Sequence, residues 1–99
     1  MEYYVLNLGE KHLIGILIYL EIVGGRSSRT GLYDNVANND RMPQKLNILE
    51  QMGLLFEQKD RVTRAIWVEL TPTGHEVAKL LLNIEDCIRK GMEESAHRE

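Results

Sequence analysis

The spacing of apolar residues along the chain predicts an alternation of helices and strands. Residues 10–23 are apolar around most of a helical circumference, so we expect this first helix to be buried on more than one side. It is predicted to end at Gly24-Gly25, since glycine favours a helix stop. Before it, residues 3–6 are aromatic and branched, and they predict a short strand or an extended arm that packs on another subunit.

A short second helix is predicted after the two glycines. Residues 24–31 are rich in glycine and hydroxyl side chains, which indicates a loop or a short edge strand. Ser28 or Thr30 is suited to cap a helix over residues 32–37, because a hydroxyl oxygen can accept a hydrogen bond from an amide of the first turn. The Asn-Asn-Asp sequence at residues 38–40 then interrupts the helix.

A third helix is predicted over residues 41–52. Its apolar residues Met42, Leu46 and Leu49 recur at helical spacing. The proline in its first turn is tolerated, because the amide hydrogen that it lacks would have no partner within the helix. We expect this helix to end at Gly53.

Two strands and a long helix complete the pattern. Residues 54–59 and 65–70 predict a β-hairpin, and its connection lacks the Asn-Gly signature of a tight turn, which indicates a longer exposed loop. Thr71 and Pro72 are suited to the cap and the first position of a last helix that ends at Gly91. Three helices followed by a hairpin is the order of a winged helix-turn-helix. This fold class is mainly α with a small β-hairpin wing (α+β) and here has a long C-terminal helix.

The length of 99 residues predicts a single domain, which the order of elements identifies as a winged helix. We divide it into an N-terminal arm (1–9), a winged-helix core (10–70), a C-terminal helix (71–91) and a polar, frayed tail (92–99). The longest apolar run, residues 13–20, is shorter than the roughly 20 apolar residues that span a bilayer, and it lacks a signal-peptide cleavage pattern. We therefore expect a cytoplasmic protein.

Charge is distributed unevenly along the chain. The net charge is −3, which by itself argues weakly against a nucleic-acid partner. Residues 26–68, however, contain seven Lys and Arg against five Asp and Glu, and the acidic excess is confined to the two ends. This distribution keeps DNA as a candidate partner. The net charge argues against a non-specific, chromatin-like role, since proteins with such a role are usually strongly basic.

Four polar side chains near the start of the third helix are candidates for contacting DNA bases. They lie on or near its outward face if the apolar face packs on the core: Arg41, Gln44, Lys45 and Asn47. In a helix-turn-helix, this part of the second helix enters the major groove. Arginine can pair with guanine, glutamine and asparagine with adenine, and lysine with guanine or phosphate.

Basic residues outside this helix are candidates for contacting the DNA backbone. The hairpin carries Lys59, Arg61 and Arg64, and the segment before the second helix carries Arg26 and Arg29. Such contacts give affinity and position the protein without discriminating between sequences.

Two motifs carry a family resemblance. Residues 42–55, MPQKLNILEQMGLL, resemble the recognition helix and following strand of MarR- and PadR-type winged-helix regulators, in which the pattern h-LxxLexxGLl recurs (h apolar, e often acidic). Residues 70–76, LTPTGHE, resemble their LTxxG+E junction between the wing and the last helix. The resemblance covers about residues 10–90. It departs from the family at Pro43 and in a wing with only three basic residues.

The resemblance implies a dimeric transcription factor that binds a palindromic operator in double-stranded DNA. We expect this regulator to act as a repressor. It also implies a small-molecule effector between the first and last helices, although no polar cluster in this sequence points to one. The alternative is a winged helix that serves as a protein-interaction module, which the acidic ends and the net charge favour. The two readings differ in whether the basic face is free for DNA or covered by a partner.

The last helix has more apolar surface than a domain of this size requires. Its stripe consists of Val77, Leu80, Leu81, Ile84, Cys87 and Ile88. We expect a second copy of the chain to cover this stripe, which would place two recognition helices about 34 Å apart, as a palindromic site requires. The alternative is a helix folded wholly onto its own domain. Cys87 is expected to be a buried structural thiol, or else a redox-sensing thiol at the interface between subunits.

Motifs for catalysis or metal binding are not found in the sequence. His12, His75 and His97 are isolated, and no metal-ligand spacing, phosphate-binding loop or nucleophile elbow occurs. A single cysteine permits neither an internal disulfide nor a cysteine-based zinc site. We therefore predict a protein that is not an enzyme and has no cofactor or metal.

Overall fold

The computed structural model describes residues 3–97. Its elements are a 3₁₀ helix (Tyr4–Gly9), α1 (Leu13–Ile22), β1 (Arg26–Ser28), α2 (Arg29–Asn35), α3 (Met42–Gln51), β2 (Leu55–Lys59), β3 (Ile66–Leu70) and α4 (Pro72–Ala96). This order confirms a winged helix-turn-helix with a long C-terminal helix. In this fold α2 and α3 form the helix-turn-helix, and β2 and β3 form the wing.

The sheet has three antiparallel strands in the order β1-β3-β2. Residues 26–28 are therefore the short edge strand, which pairs with β3 in a register that places Ser27 opposite Val68. In the wing, Leu55 pairs with Leu70 and Lys59 with Ile66. Because side chains alternate across a strand, the buried Val68 and Leu70 mark the face that packs on the helices.

The core is built around α1. Leu13, Ile16, Leu17 and Leu20 are fully buried, and the helix contacts the three other α-helices, the sheet and the 3₁₀ helix. These contacts explain why α1 is apolar on nearly every side, as the sequence predicts. Leu32 of α2 and Met42, Leu46 and Leu49 of α3 complete the core from the helix-turn-helix side.

The ends of three elements differ from the sequence-based expectations. Residues 3–6 form neither a strand nor an extended arm, because residues from Tyr4 onward enter the 3₁₀ helix. Helix α1 begins at Leu13, not at residue 10, since His12 has a φ of 74° that a right-handed helix cannot contain. Helix α4 continues through Gly91 to Ala96. Gly91 keeps helical dihedrals, and glycine ends a helix only where the backbone turns left-handed.

The two motifs of the family resemblance meet at one junction. Gly53 has a φ of 76°, which turns the chain from α3 into β2. The hydroxyl of Thr71 donates to the Gly53 carbonyl (2.6 Å) and accepts from the amide of Gly74 (2.9 Å), so one side chain caps α4 and ties it to the end of α3. The Thr71 amide donates to the Leu54 carbonyl (3.1 Å). This junction fixes α4 relative to the helix-turn-helix.

Candidate nucleic-acid interface

Helix α3 presents a polar face at its N-terminal end. Arg41, Gln44 and Asn47 are exposed, while Met42, Leu46 and Leu49 are buried on the opposite side. The start of the helix is held by Asn39, whose side-chain oxygen accepts from the Arg41 amide (2.8 Å). Three of the four predicted base-contacting residues therefore lie together on the outward face, where side chains of a helix-turn-helix meet base edges.

Lys45 is the exception, and the expectation that it points outward is wrong. The residue is only 6 % exposed, and its ammonium donates to the carbonyl of Lys11 (2.9 Å) and lies 3.7 Å from the Glu10 carboxylate. The sequence did contain a signal for this placement. Position 45 lies three residues after Met42 and four before Leu49, which places it on the core side of the helix. Lys45 thus anchors α3 to the turn before α1.

The wing loop is ordered by its own hydrogen bonds. The carboxylate of Asp60 accepts from the amides of Val62 (2.8 Å) and Thr63 (3.4 Å). The Asp60 carbonyl accepts from the amide of Arg64 (2.9 Å), which has a left-handed φ of 61°. These bonds close a turn in which Arg61 and Arg64 are exposed. Lys59, at the end of β2, is exposed as well.

The Asp60 turn gives the wing a specific dependence on pH. Hydrogen bonds from the amides of Val62 and Thr63 lower the pKa of the Asp60 carboxyl. Since the pKa is lower in the folded wing, the stabilisation is fully present above the ordinary value of about 3.9 and is lost as the pH falls through the lowered pKa. We expect the protection of the Val62 and Thr63 amides, taken relative to the intrinsic exchange rate at each pH, to fall only in that acid range, as measured by NMR.

Two substitutions separate the hydrogen bonds of Asp60 from its charge. Asp60→Asn keeps an acceptor oxygen and is expected to keep the turn at neutral pH. Asp60→Ala removes the acceptor and is expected to leave both amides unprotected, relative to the intrinsic exchange rate, at every pH. Wild-type protection in Asp60→Ala would contradict this role for the side chain.

Arg26 and Arg29 lie beside the wing and already have partners within the protein. The Arg26 guanidinium stacks over Trp67, 4.3 Å from the ring centroid. Arg29 donates from Nε to the Glu57 carboxylate (2.7 Å), and this hydrogen bond raises the pKa of Arg29. Their predicted contact with phosphate stays a prediction.

Helix α4 leaves much of its apolar stripe uncovered in the single chain. Val77 and Leu81 are half-buried against the domain, whereas Leu80, Ile84 and Ile88 are more than half exposed. Cys87 is also exposed in the single chain, so its own domain does not bury the thiol, and its burial between two subunits stays a prediction. The predicted stripe continues one turn further, to Met92, and the 3₁₀ helix adds exposed apolar residues from Tyr4 to Leu6.

The three histidines are apart in the structure. His12 lies before α1, His97 ends α4, and the Nδ1 of His75 contacts the Glu21 carboxylate (2.6 Å), which joins α4 to α1. Within residues 3–97 no group of three His, Cys, Asp or Glu side chains could hold a metal ion. No helix in the same range is long and apolar enough to cross a membrane.

Comparisons with known proteins confirm the fold. No protein-family model and no curated protein sequence matches the chain. Among solved structures, it is similar to a transcriptional regulator homologue from Pyrococcus horikoshii OT3, with a TM-score of 0.65 and 20 % identity over 90 % of this chain and 96 % of that one. It is also similar to reduced AbfR bound to DNA, with a TM-score of 0.59 and 10 % identity over 96 % of this chain and 80 % of that one. The chain therefore shares its winged-helix fold with these two structures.

Proposed function

We propose that the protein is a sequence-specific double-stranded-DNA-binding regulator of transcription that acts as a homodimer and represses by occupying a palindromic site. The observation that carries this proposal is the pairing of an exposed polar face on α3 with a hydrogen-bonded cationic wing in one domain. The first can contact bases in the major groove, and the second can contact the backbone beside it. The similar fold of AbfR, whose structure contains DNA, supports the same assignment.

The base-contacting set that we propose is Arg41, Gln44 and Asn47. Lys45 is left out because its ammonium is held inside the protein. Arg61, Arg64 and Lys59 would contact the backbone from the wing, where all three are exposed. No catalytic residue, cofactor or metal takes part in this function.

Helix α4 would form the dimer interface. From residue 83 onward each described residue of the helix is exposed in the single chain, and Ile84, Ile88 and Met92 lie along one side. Because these side chains are already partly covered, burial of the remaining surface of each would contribute about 1–2 kcal/mol. A two-fold axis would cover the same stripe on both copies at once. The exposed 3₁₀ helix offers a further contact surface to the partner.

A protein-interaction module is the second candidate function. Two observations favour it, namely the net charge of −3 and the internal partners of Arg26 and Arg29. These partners leave fewer free cations beside the wing than the sequence suggests. In this case a protein, not a duplex, would cover the exposed face of α3.

The first experiment is selection of random duplexes by the purified protein. We expect enrichment of an inverted repeat whose half-sites are about ten base pairs apart, one turn of the helix. No enrichment, together with no binding at low salt, would contradict DNA binding and favour the protein-interaction module.

Substitutions then test the two halves of the interface. Gln44→Ala and Asn47→Ala should each cost about 1–3 kcal/mol at the selected site only. Arg61→Ala should weaken binding to any duplex and reduce the salt slope by about one. Thr73→Ala, an exposed hydroxyl in the first turn of α4 before the apolar stripe, is the matched control and should change neither quantity. The affinity of each variant is measured by fluorescence anisotropy. If none of the first three substitutions changes the affinity, the proposed interface is wrong.

A further inference from the structure

An ion pair joins the helix-turn-helix to the wing. Arg29 in α2 and Glu57 in β2 are 28 residues apart in sequence, and their Nε and Oε2 atoms are 2.7 Å apart. Both side chains are mostly covered, with 28 % and 20 % of their surfaces exposed. Short, charge-assisted bonds of this kind are stronger than bonds between neutral groups, and partial burial limits their screening by salt.

Each of the two charges lies in an unfavourable place without the other. Arg29 is the first residue of α2, where the helix macrodipole disfavours a cation. Glu57 pairs in register with the fully buried Val68, so its side chain lies on the face of the sheet that packs on the helices. The contact compensates both charges, and it fixes the middle of β2 against the start of α2.

We propose that Arg29 is a positioning residue, which with Glu57 holds the wing at a fixed angle to the helix-turn-helix so that α3 and the wing contact one duplex together. This inference rests on the proposed DNA-binding function. It replaces the sequence-based interpretation of Arg29 as a direct phosphate contact. A wing held in place before binding loses less conformational entropy in the complex.

The direction in which one substitution changes DNA affinity distinguishes a positioning role for the Arg29–Glu57 pair from a purely electrostatic effect of Glu57. Removing an acidic group beside a DNA-binding surface ordinarily tightens binding, because repulsion from the phosphates falls. If Glu57 holds the wing through Arg29, Glu57→Gln weakens binding although the protein becomes less negative. Glu69→Gln is the matched control. Glu69 lies in the same sheet on the opposite face, paired in register with Arg26 and Phe56, and within residues 3–97 it joins no ion pair.

The experiment titrates the selected inverted-repeat duplex with four variants at several salt concentrations. Glu57→Gln and Arg29→Gln are each expected to weaken binding by about threefold to tenfold with an unchanged salt slope. The double variant should bind no more weakly than either single variant, because both remove the same contact. Glu69→Gln should bind as tightly as the wild type or more tightly.

Hydrogen exchange of the free protein distinguishes positioning from a general loss of stability. Glu57→Gln is expected to quicken exchange of the strand amides of β2 and β3, at residues 55–59 and 66–70, and to leave the α3 amides as in the wild type. Equal acceleration in both elements would overturn the positioning role.

The binding data distinguish failure of the positioning role from failure of the proposed DNA-binding function. Unchanged or tighter binding by Glu57→Gln overturns the inference, as does a salt slope reduced by about one in Arg29→Gln, which would make Arg29 a phosphate contact. Absence of duplex binding by the wild type overturns the proposed function, and the positioning role falls with it.

Discussion

The Gly74→Ala variant is expected to lose about 3 kcal/mol or more of its free energy of unfolding. Gly74 is buried in the first turn of α4, and an added Cβ would overlap the carbonyl oxygen of Leu54 and lie 2.7 Å from its carbonyl carbon. The Leu54 carbonyl cannot simply rotate away, because it accepts the hydrogen bond from the Thr71 amide (3.1 Å). Either the start of α4 or the start of β2 must therefore shift. Urea denaturation followed by circular dichroism measures the loss.

Gly9→Ala is the matched control for Gly74→Ala. Gly9 ends the 3₁₀ helix, no atom lies within 4 Å of an added Cβ, and its φ is not positive. A change within about 0.5 kcal/mol is expected there. Similar unfolding free energies for the two variants would contradict the close approach of α4 to β2.

The fold was predictable because its strongest signals are short sequence motifs, each recognisable without knowledge of the contacts that it makes. Gly53 must turn left-handed after α3, and Gly74 must lack a side chain beside Leu54. These requirements explain why the Gly-Leu and LTxxG motifs occur together, since the two segments are in contact. Thr71 and Pro72 likewise mark the start of α4 through rules that involve only neighbouring residues.

The candidate site was only partly predictable, because several of its features depend on contacts between distant residues. Lys45 hydrogen-bonds a carbonyl 34 residues away, and Arg29 pairs with a carboxylate 28 residues away. Neither partner can be inferred from helical spacing. The exposure of Cys87 has a related cause. The apolar pattern of α4 shows that a side of the helix needs covering, but it does not specify whether the same chain covers it.

The Ile84→Asp variant is expected to be monomeric and to bind the inverted repeat about a hundredfold or more weakly than the wild type. Ile84 is 53 % exposed in the single chain and lies on the part of α4 that projects beyond the core, so the substitution should leave the protomer folded. In the proposed dimer, the aspartate of each copy would be buried at the interface without a partner, which is costly. A monomer also loses the high effective concentration that links the two half-sites.

Lys90→Ala is the matched control for the dimer interface. It changes the net charge by the same amount, and Lys90 lies off the apolar stripe on the same helix. We expect this variant to remain dimeric and to bind the inverted repeat as tightly as the wild type.

Sedimentation equilibrium reports the oligomeric state of both variants. Anisotropy titrations on one half-site and on the full repeat report the gain in affinity that comes from linking the two half-sites. Because Ile84 is remote from α3 and from the wing in sequence and packing, the affinity of Ile84→Asp for a single half-site should equal that of the wild type. A dimeric Ile84→Asp protein with full affinity for the repeat would mean that α4 is not the interface.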